Sequence, residues 1–201
     1  MNTQLDPTEN SSATNKKVIG FDLDGVFLDF SELKRKLAAE RGYDIALNET
    51  PSEIMAQKIS VPVYKEMQWD LYARPPHAFS VPLIPGAKEG LQKVAGSGVP
   101  FFLISRRKFP DVPKKVLEGH GLWPDYFHEQ NAFFVIEPKD KDIRAKALGI
   151  THYVDDEPKV LQAIESVPHR ILFDPFGAYP EEEWYEKVGS WKEILSLLLG
   201  Q

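Results

Sequence analysis

Two carboxylates separated by a single residue open the chemistry of this chain, in Asp22-Leu23-Asp24-Gly25-Val26. On a regular strand two such side chains point the same way. A turn at Gly25 can swing the second one and leave its backbone carbonyl facing the first. Oxygen ligands of this kind suit a hard cation. A carboxylate that attacks a phosphate dianion meets like-charge repulsion, which a divalent cation relieves. The second carboxylate can then protonate the leaving oxygen and later activate water. By itself the same tetrad is also ordinary turn chemistry.

A second acidic patch, Asp155-Asp156-Glu157, follows the apolar residues 152–154 and precedes Pro158. Adjacent acids are costly unless a cation is near. Their other common use is to cap a helix and favour its dipole. Ser105 ends the apolar run 99–104, where a hydroxyl can donate to a phosphate oxygen or cap the next turn. Arg106 and Arg107 follow it, and one of them can add charge at a phosphate; Arg106 is taken for that role. In Pro138-Lys139-Asp140-Lys141 a lysine stands at a helix start, where the macrodipole disfavours it unless an anion is bound there. Lys141 is the candidate, with Lys139 and Lys146 competing.

Other chemistries are excluded. With no cysteine in 201 residues there is no disulfide, thiolate site or cysteine nucleophile. The five histidines show no metal-ligand spacing. Neither a phosphate-binding G-x-x-x-x-G-K-S/T nor a G-x-S-x-G elbow occurs. A formal net charge of -6 gives no basic footprint for a nucleic-acid polymer, although a local site for a small phosphorylated molecule remains open. No apolar run is long enough to span a bilayer. Residues 1–15 read as a disordered polar tail without signal or transit features, which makes the cytoplasm the default location.

These residues need elements to position them. Short apolar strands are expected at 17–22, 99–104, 132–136, 152–154 and 170–173, each bounded by polar, Gly or Pro residues. Helices are expected at 87–95, 110–118, 141–148, 157–166 and 190–199, with Gly or Pro as stop signals. Strands alternating with helices imply βαβ units and a parallel sheet covered on both faces. Ligands of such sheets sit beyond the carboxyl ends of the strands, where both acidic patches fall. Residues 27–84 break the rhythm with helical patterns at 31–41, 51–59 and 61–72. In that stretch Thr50-Pro51-Ser52-Glu53 reads as a capping box. The expected organisation is a tail at 1–15, a core from 16–26 and 85–201, and a helical cap from 27–84.

The ordered set, D-x-D-G-V, then Ser105, then a lysine at a helix start, then Asp155-Asp156, resembles the haloacid-dehalogenase (HAD) superfamily over residues 17–160. The resemblance implies a three-layer α/β, Rossmann-like core with a parallel sheet and a small helical cap after the first strand. It implies a Mg²⁺-dependent phosphatase with Asp22 as nucleophile and Asp24 as acid/base. The metal would be held by Asp22, the Asp24 carbonyl and Asp156, with Asp155 supporting. Ser105 and Lys141 would bind the phosphate. Members that act on carbon–halogen bonds lack the acid matching Asp24. A finer resemblance is to the 5′(3′)-deoxyribonucleotidase group, carried by the helical insert, Pro85-Gly86-Ala87, Arg170-Ile171-Leu172-Phe173 and Ser190-Trp191-Lys192-Glu193-Ile194-Leu195. The charged Arg106-Arg107 departs from some nucleotidases and leaves the substrate open between nucleoside monophosphates and phosphosugars or other small phosphometabolites. Trp69 and Tyr72, three apart on one expected helix, can share a face toward the substrate or pack within the cap. A monomer or homodimer is expected. A receiver-like or degenerate binding module would also combine acids with a lysine, but there the acid pair precedes the phospho-accepting aspartate.

Overall fold

The computed structural model describes residues 16–74 and 77–200, so the expected tail at 1–15 lies outside the described residues. Among the described residues six strands form one parallel sheet: β1 (Ile19–Phe21), β2 (Phe101–Arg106), β3 (Ala132–Val135), β4 (His152–Asp155), β5 (His169–Phe173) and β6 (Glu186–Val188). Their spatial order is β3-β2-β1-β4-β5-β6. The first strand is thus central, flanked by β2 and β4, with Phe21 opposite Leu103 on one side and Val154 on the other.

Alternation along the strands feeds two cores. Ile19, Phe21, Leu103, Val154, Ile171 and Phe173 pack on one face. They meet α4 (Ala87–Gly96), α5 (Asp111–Gly119) and α8 (Trp191–Leu199) through Leu91, Val94, Val116, Leu117, Trp191 and Ile194. Ile104, Tyr153 and Leu172 face the other side and meet α6 (Pro138–Leu148) and α7 (Pro158–Ala163) through Ala145, Val160 and Leu161. This is the three-layer α/β arrangement, with every central strand covered twice. Gly20 gives up its side chain so that the Tyr153 ring can cross β1; a Cβ there would run into that ring. The Tyr153 hydroxyl donates to the Ile104 carbonyl at 2.6 Å, which satisfies a polar atom buried in this layer.

Between β1 and α4 run, among the described residues, three α-helices: α1 (Ser31–Ala39), α2 (Ser52–Lys58) and α3 (Val61–Tyr72). Leu37, Met55, Met67 and Leu71 turn inward and join the first core. Two expectations differ from the structure here and at the sheet edge. Thr50 does not cap α2; its hydroxyl donates back to the Leu47 carbonyl at 2.7 Å, and Pro51 takes the cap position without a side-chain bond. The edge strand β6 was not expected, because Glu186-Lys187-Val188 buries only its valine and carries no apolar run.

Candidate active site

The two acidic patches end adjacent strands. The Asp22 amide donates to the Val154 carbonyl at 2.9 Å, which carries the β1–β4 pairing up to the point where Asp22 and Asp155 stand side by side. Gly25, with φ of +74°, then turns the chain sharply. Its bare Cα is also required by space, since a Cβ would collide with the Asp156 carboxylate. The turn thereby locks the first patch against the second. One oxygen each of Asp22, Asp155 and Asp156 lie within 4.8 Å of one another.

Lys141 anchors this cluster. It sits in the first turn of α6 with 1% of its surface exposed, and its Nζ donates to Asp22 Oδ1 at 2.8 Å and Asp155 Oδ2 at 2.7 Å. Lys139 and Lys146 are exposed on the same helix. Burial alone would strip the Lys141 proton, but the carboxylates of Asp155 and Asp22 outweigh it and hold the ammonium well above the ordinary lysine range. Asp155 spends both oxygens within the protein, one on Lys141 and the other on the Glu157 amide at 3.0 Å. Asp156 has no hydrogen-bond or ion-pair partner among the described residues. Its burial, with Glu157, Asp155 and Asp22 around it, pushes its carboxyl well above the usual range. An oxygen-only donor set with one uncompensated carboxylate is the chemistry of a hard divalent cation site, so the residues present fit Mg²⁺.

Ser105 lies at the end of β2, 1% exposed, and its Oγ has no partner among the described residues. A buried hydroxyl left unpaired beside the acidic cluster is available to an incoming oxygen. Asp24 is half-buried and accepts from Arg107 Nη2 at 2.5 Å. Burial raises its carboxyl, Arg107 opposes this, and Asp22 adds to it, with a net upward shift.

The two arginines part company. Arg106 is exposed and pairs with Glu157 at 3.1 Å on the rim. Arg107 is buried and lies over the Tyr72 ring at 4.5 Å and the Phe30 ring at 5.5 Å. Strand alternation carries the signal that separates them. The Arg107 amide still donates to Val135 at 3.0 Å, so the ladder continues past Ser105 and returns to the Ser105 side two residues later.

Both acidic patches, Gly25, Ser105, Arg106, Arg107 and Lys141 line one cavity of about 730 Å³. Trp69 and Tyr72 of α3 line it as well. Tyr72 packs edge-on against Phe30 at 5.1 Å, while Trp69 is half exposed and meets Phe109 edge-on at 5.9 Å. Lys34 and Phe109 also reach this wall, and neither stood out in the sequence.

The model of the family described as 5′ nucleotidase, deoxy (Pyrimidine), cytosolic type C protein matches residues 16–200. No curated relative matches the chain. Among solved structures the chain is similar to a HAD family hydrolase from Deinococcus radiodurans R1 with bound phosphate and sodium, at 18% identity and a TM-score of 0.61, covering 92% of this chain and 95% of that one. It is similar to a predicted phosphatase from Clostridium acetobutylicum at 17% identity and a TM-score of 0.62, covering 92% and 99% of the two chains. A predicted phosphoglycolate phosphatase from Haemophilus somnus 129pt shares 16% identity with a TM-score of 0.58, over 92% and 99%. These structural likenesses are likenesses of fold.

Proposed function

This chain belongs to the 5′ nucleotidase, deoxy (Pyrimidine), cytosolic type C family of HAD-like hydrolases, and from that premise we propose that it is a Mg²⁺-dependent phosphomonoesterase acting on a small phosphorylated substrate, with nucleoside monophosphates as the first candidates. One observation carries the reading. Carboxylate oxygens from two strands converge within 4.8 Å beside a buried ammonium and a buried Ser105 hydroxyl that has no partner among the described residues.

In this reading Asp22, Asp156 and the Asp24 carbonyl hold the metal, and Asp155 supports it by fixing Lys141. When bound, the ion supplies positive charge that offsets repulsion between the Asp22 carboxylate and the phosphate. Ser105 and Lys141 bind oxygens of the transferring phosphoryl group. Asp22 attacks phosphorus, forming a bond from its carboxylate oxygen while the ester oxygen leaves. Asp24 gives the departing oxygen a proton, then takes one from the water that hydrolyses the aspartyl-phosphate. Residues 27–84 act as a cap over a core made by 16–26 and 85–201. The support for this is that Phe30, Lys34, Trp69 and Tyr72 line the same cavity as the acids. Excluding water beneath such a cap would strengthen every charge interaction inside.

The test is hydrolysis of p-nitrophenyl phosphate with Mg²⁺ against an EDTA control and the Asp22→Asn variant, followed by a panel of nucleoside monophosphates and sugar phosphates. Turnover that needs both Mg²⁺ and Asp22 is expected. Equal turnover by Asp22→Asn would overturn the mechanism, and preference for sugar phosphates would overturn the nucleotide assignment alone.

A further inference from the structure

Arg107 is less completely used than its burial demands. One nitrogen, Nη2, serves Asp24, while Nε and Nη1 are buried with no acceptor among the described residues. The side chain is 7% exposed, lies on Tyr72 and Phe30, and lines the cavity. Leaving charged donors desolvated and unpaired is costly, so such an arrangement persists where a ligand completes it.

Charged side chains around the same wall are mostly partnered. Most of the cavity's carboxylates have partners: Asp24 has Arg107, Asp22 and Asp155 share Lys141, Glu157 has Arg106, Asp174 has Lys187, and Asp29 accepts from Ser31. Asp156 fits the cation. Lys34, Lys65 and Lys108 also line the cavity, and none pairs with a carboxylate among the described residues. Lys34 is buried and donates only to the Thr50 carbonyl and the Ser52 hydroxyl.

We propose that the preferred substrate carries a second oxyanion on its leaving group, a phosphate or a carboxylate, received by Arg107 between Phe30 and Tyr72 in the cavity that the buried Lys34 also lines. This rests on the phosphomonoesterase reading and shifts its first candidates, since the nucleoside released from a simple monophosphate carries no oxyanion, whereas one released from a nucleoside bisphosphate does. A planar, always-charged guanidinium held on aromatic faces is the donor suited to carboxylate or phosphate.

The experiment measures kcat and KM of the full chain with Mg²⁺ on matched pairs. Thymidine 3′,5′-bisphosphate against thymidine 5′-monophosphate tests a phosphate, and 2-phosphoglycolate against ethyl phosphate tests a carboxylate. The parent enzyme is expected to prefer the doubly acidic member of at least one pair by about 10- to 100-fold, mostly in KM, the worth of one charge-assisted contact. Arg107→Met should bring that ratio within about threefold, whatever change it makes to both members alike, and Arg107→Lys should restore part of it. Lys65→Gln, at an exposed position, should lower the ratio by a smaller factor without touching the buried charges. A parent enzyme that hydrolyses p-nitrophenyl phosphate but shows no preference in either pair overturns this inference and spares the phosphatase reading. A preference that survives in Arg107→Met overturns the role of Arg107. No hydrolysis of any phosphomonoester overturns both.

Discussion

Replacing Lys141 by methionine keeps most of the side chain's volume and removes the one charge that two buried carboxylates share. Nζ lies 2.8 Å from Asp22 and 2.7 Å from Asp155, and the Lys141 and Asp155 side chains are each 1% exposed. Water can therefore do little to replace the lost ammonium. Removing one partner of a buried ion pair costs about 3–5 kcal/mol, because the other charge is left uncompensated. For a chain of this size 1 kcal/mol moves the midpoint by about 2–4 °C, so the variant should melt roughly 6–20 °C below the parent in EDTA. The carboxylates left behind are the ones read here as a cation site. Added Mg²⁺ should thus stabilise Lys141→Met more than it stabilises the parent. Differential scanning calorimetry of both proteins, with EDTA and with Mg²⁺, reads these shifts. A midpoint within about 2 °C of the parent in EDTA would refute the reasoning that Lys141 neutralises the cluster.

Three further outcomes are expected. Asp24→Asn should lower kcat by roughly 10²–10⁴-fold on an alkyl phosphate and by less on p-nitrophenyl phosphate, whose leaving oxygen needs little help from an acid; equal kcat on the alkyl ester would remove Asp24 from proton transfer. Gly25→Ala forces an L side chain into the left-handed region, at about 1–2 kcal/mol, and drives its Cβ into Asp156; calorimetric titration should show Mg²⁺ affinity falling, and unchanged affinity would separate the Gly25 turn from the metal site. His152 is half-buried, and burial, the stacked His169 ring at 4.3 Å and Lys17 lower its pKa to about 4. The unfolded imidazole takes its proton near pH 6.5 while the folded one does not, so stability should fall as pH drops from about 6.5 toward 4 and level off below. Screening at a half-exposed ring limits the effect to about 1 kcal/mol; urea melts at the two pH values should show a shallower slope in His152→Gln, and parallel slopes would contradict the assignment.

Much of the fold was legible because its signals are local. Apolar runs end in acids at 22 and 155, and Gly25, Gly149 and Pro158 mark where strands turn or helices begin and stop. The same logic brought Asp22, Asp155 and Asp156 to one sheet edge before any coordinates. What sequence reading missed depends on tertiary neighbours. Arg106 and Arg107 differ only in which side of β2 they leave, and only the continued ladder to Val135 decides it. The β6 segment owes its strand to pairing with β5, since Glu186 and Lys187 have no apolar reason to be extended. Thr50 has a capping sequence, yet its hydroxyl donates back to the Leu47 carbonyl and accepts nothing from the first turn of α2. Which lysine enters the site is set by the first turn of α6, which aims Lys141, and not Lys139 or Lys146, between two strand-end carboxylates.

The most direct test of the central claim is to quench the enzyme in acid during turnover with Mg²⁺ and locate the bound phosphoryl group by peptide mass spectrometry. The account predicts a phosphorylated peptide containing Asp22 that disappears in Asp22→Asn. Steady turnover with the phosphoryl group on another residue, or with none bound at any time, would contradict it.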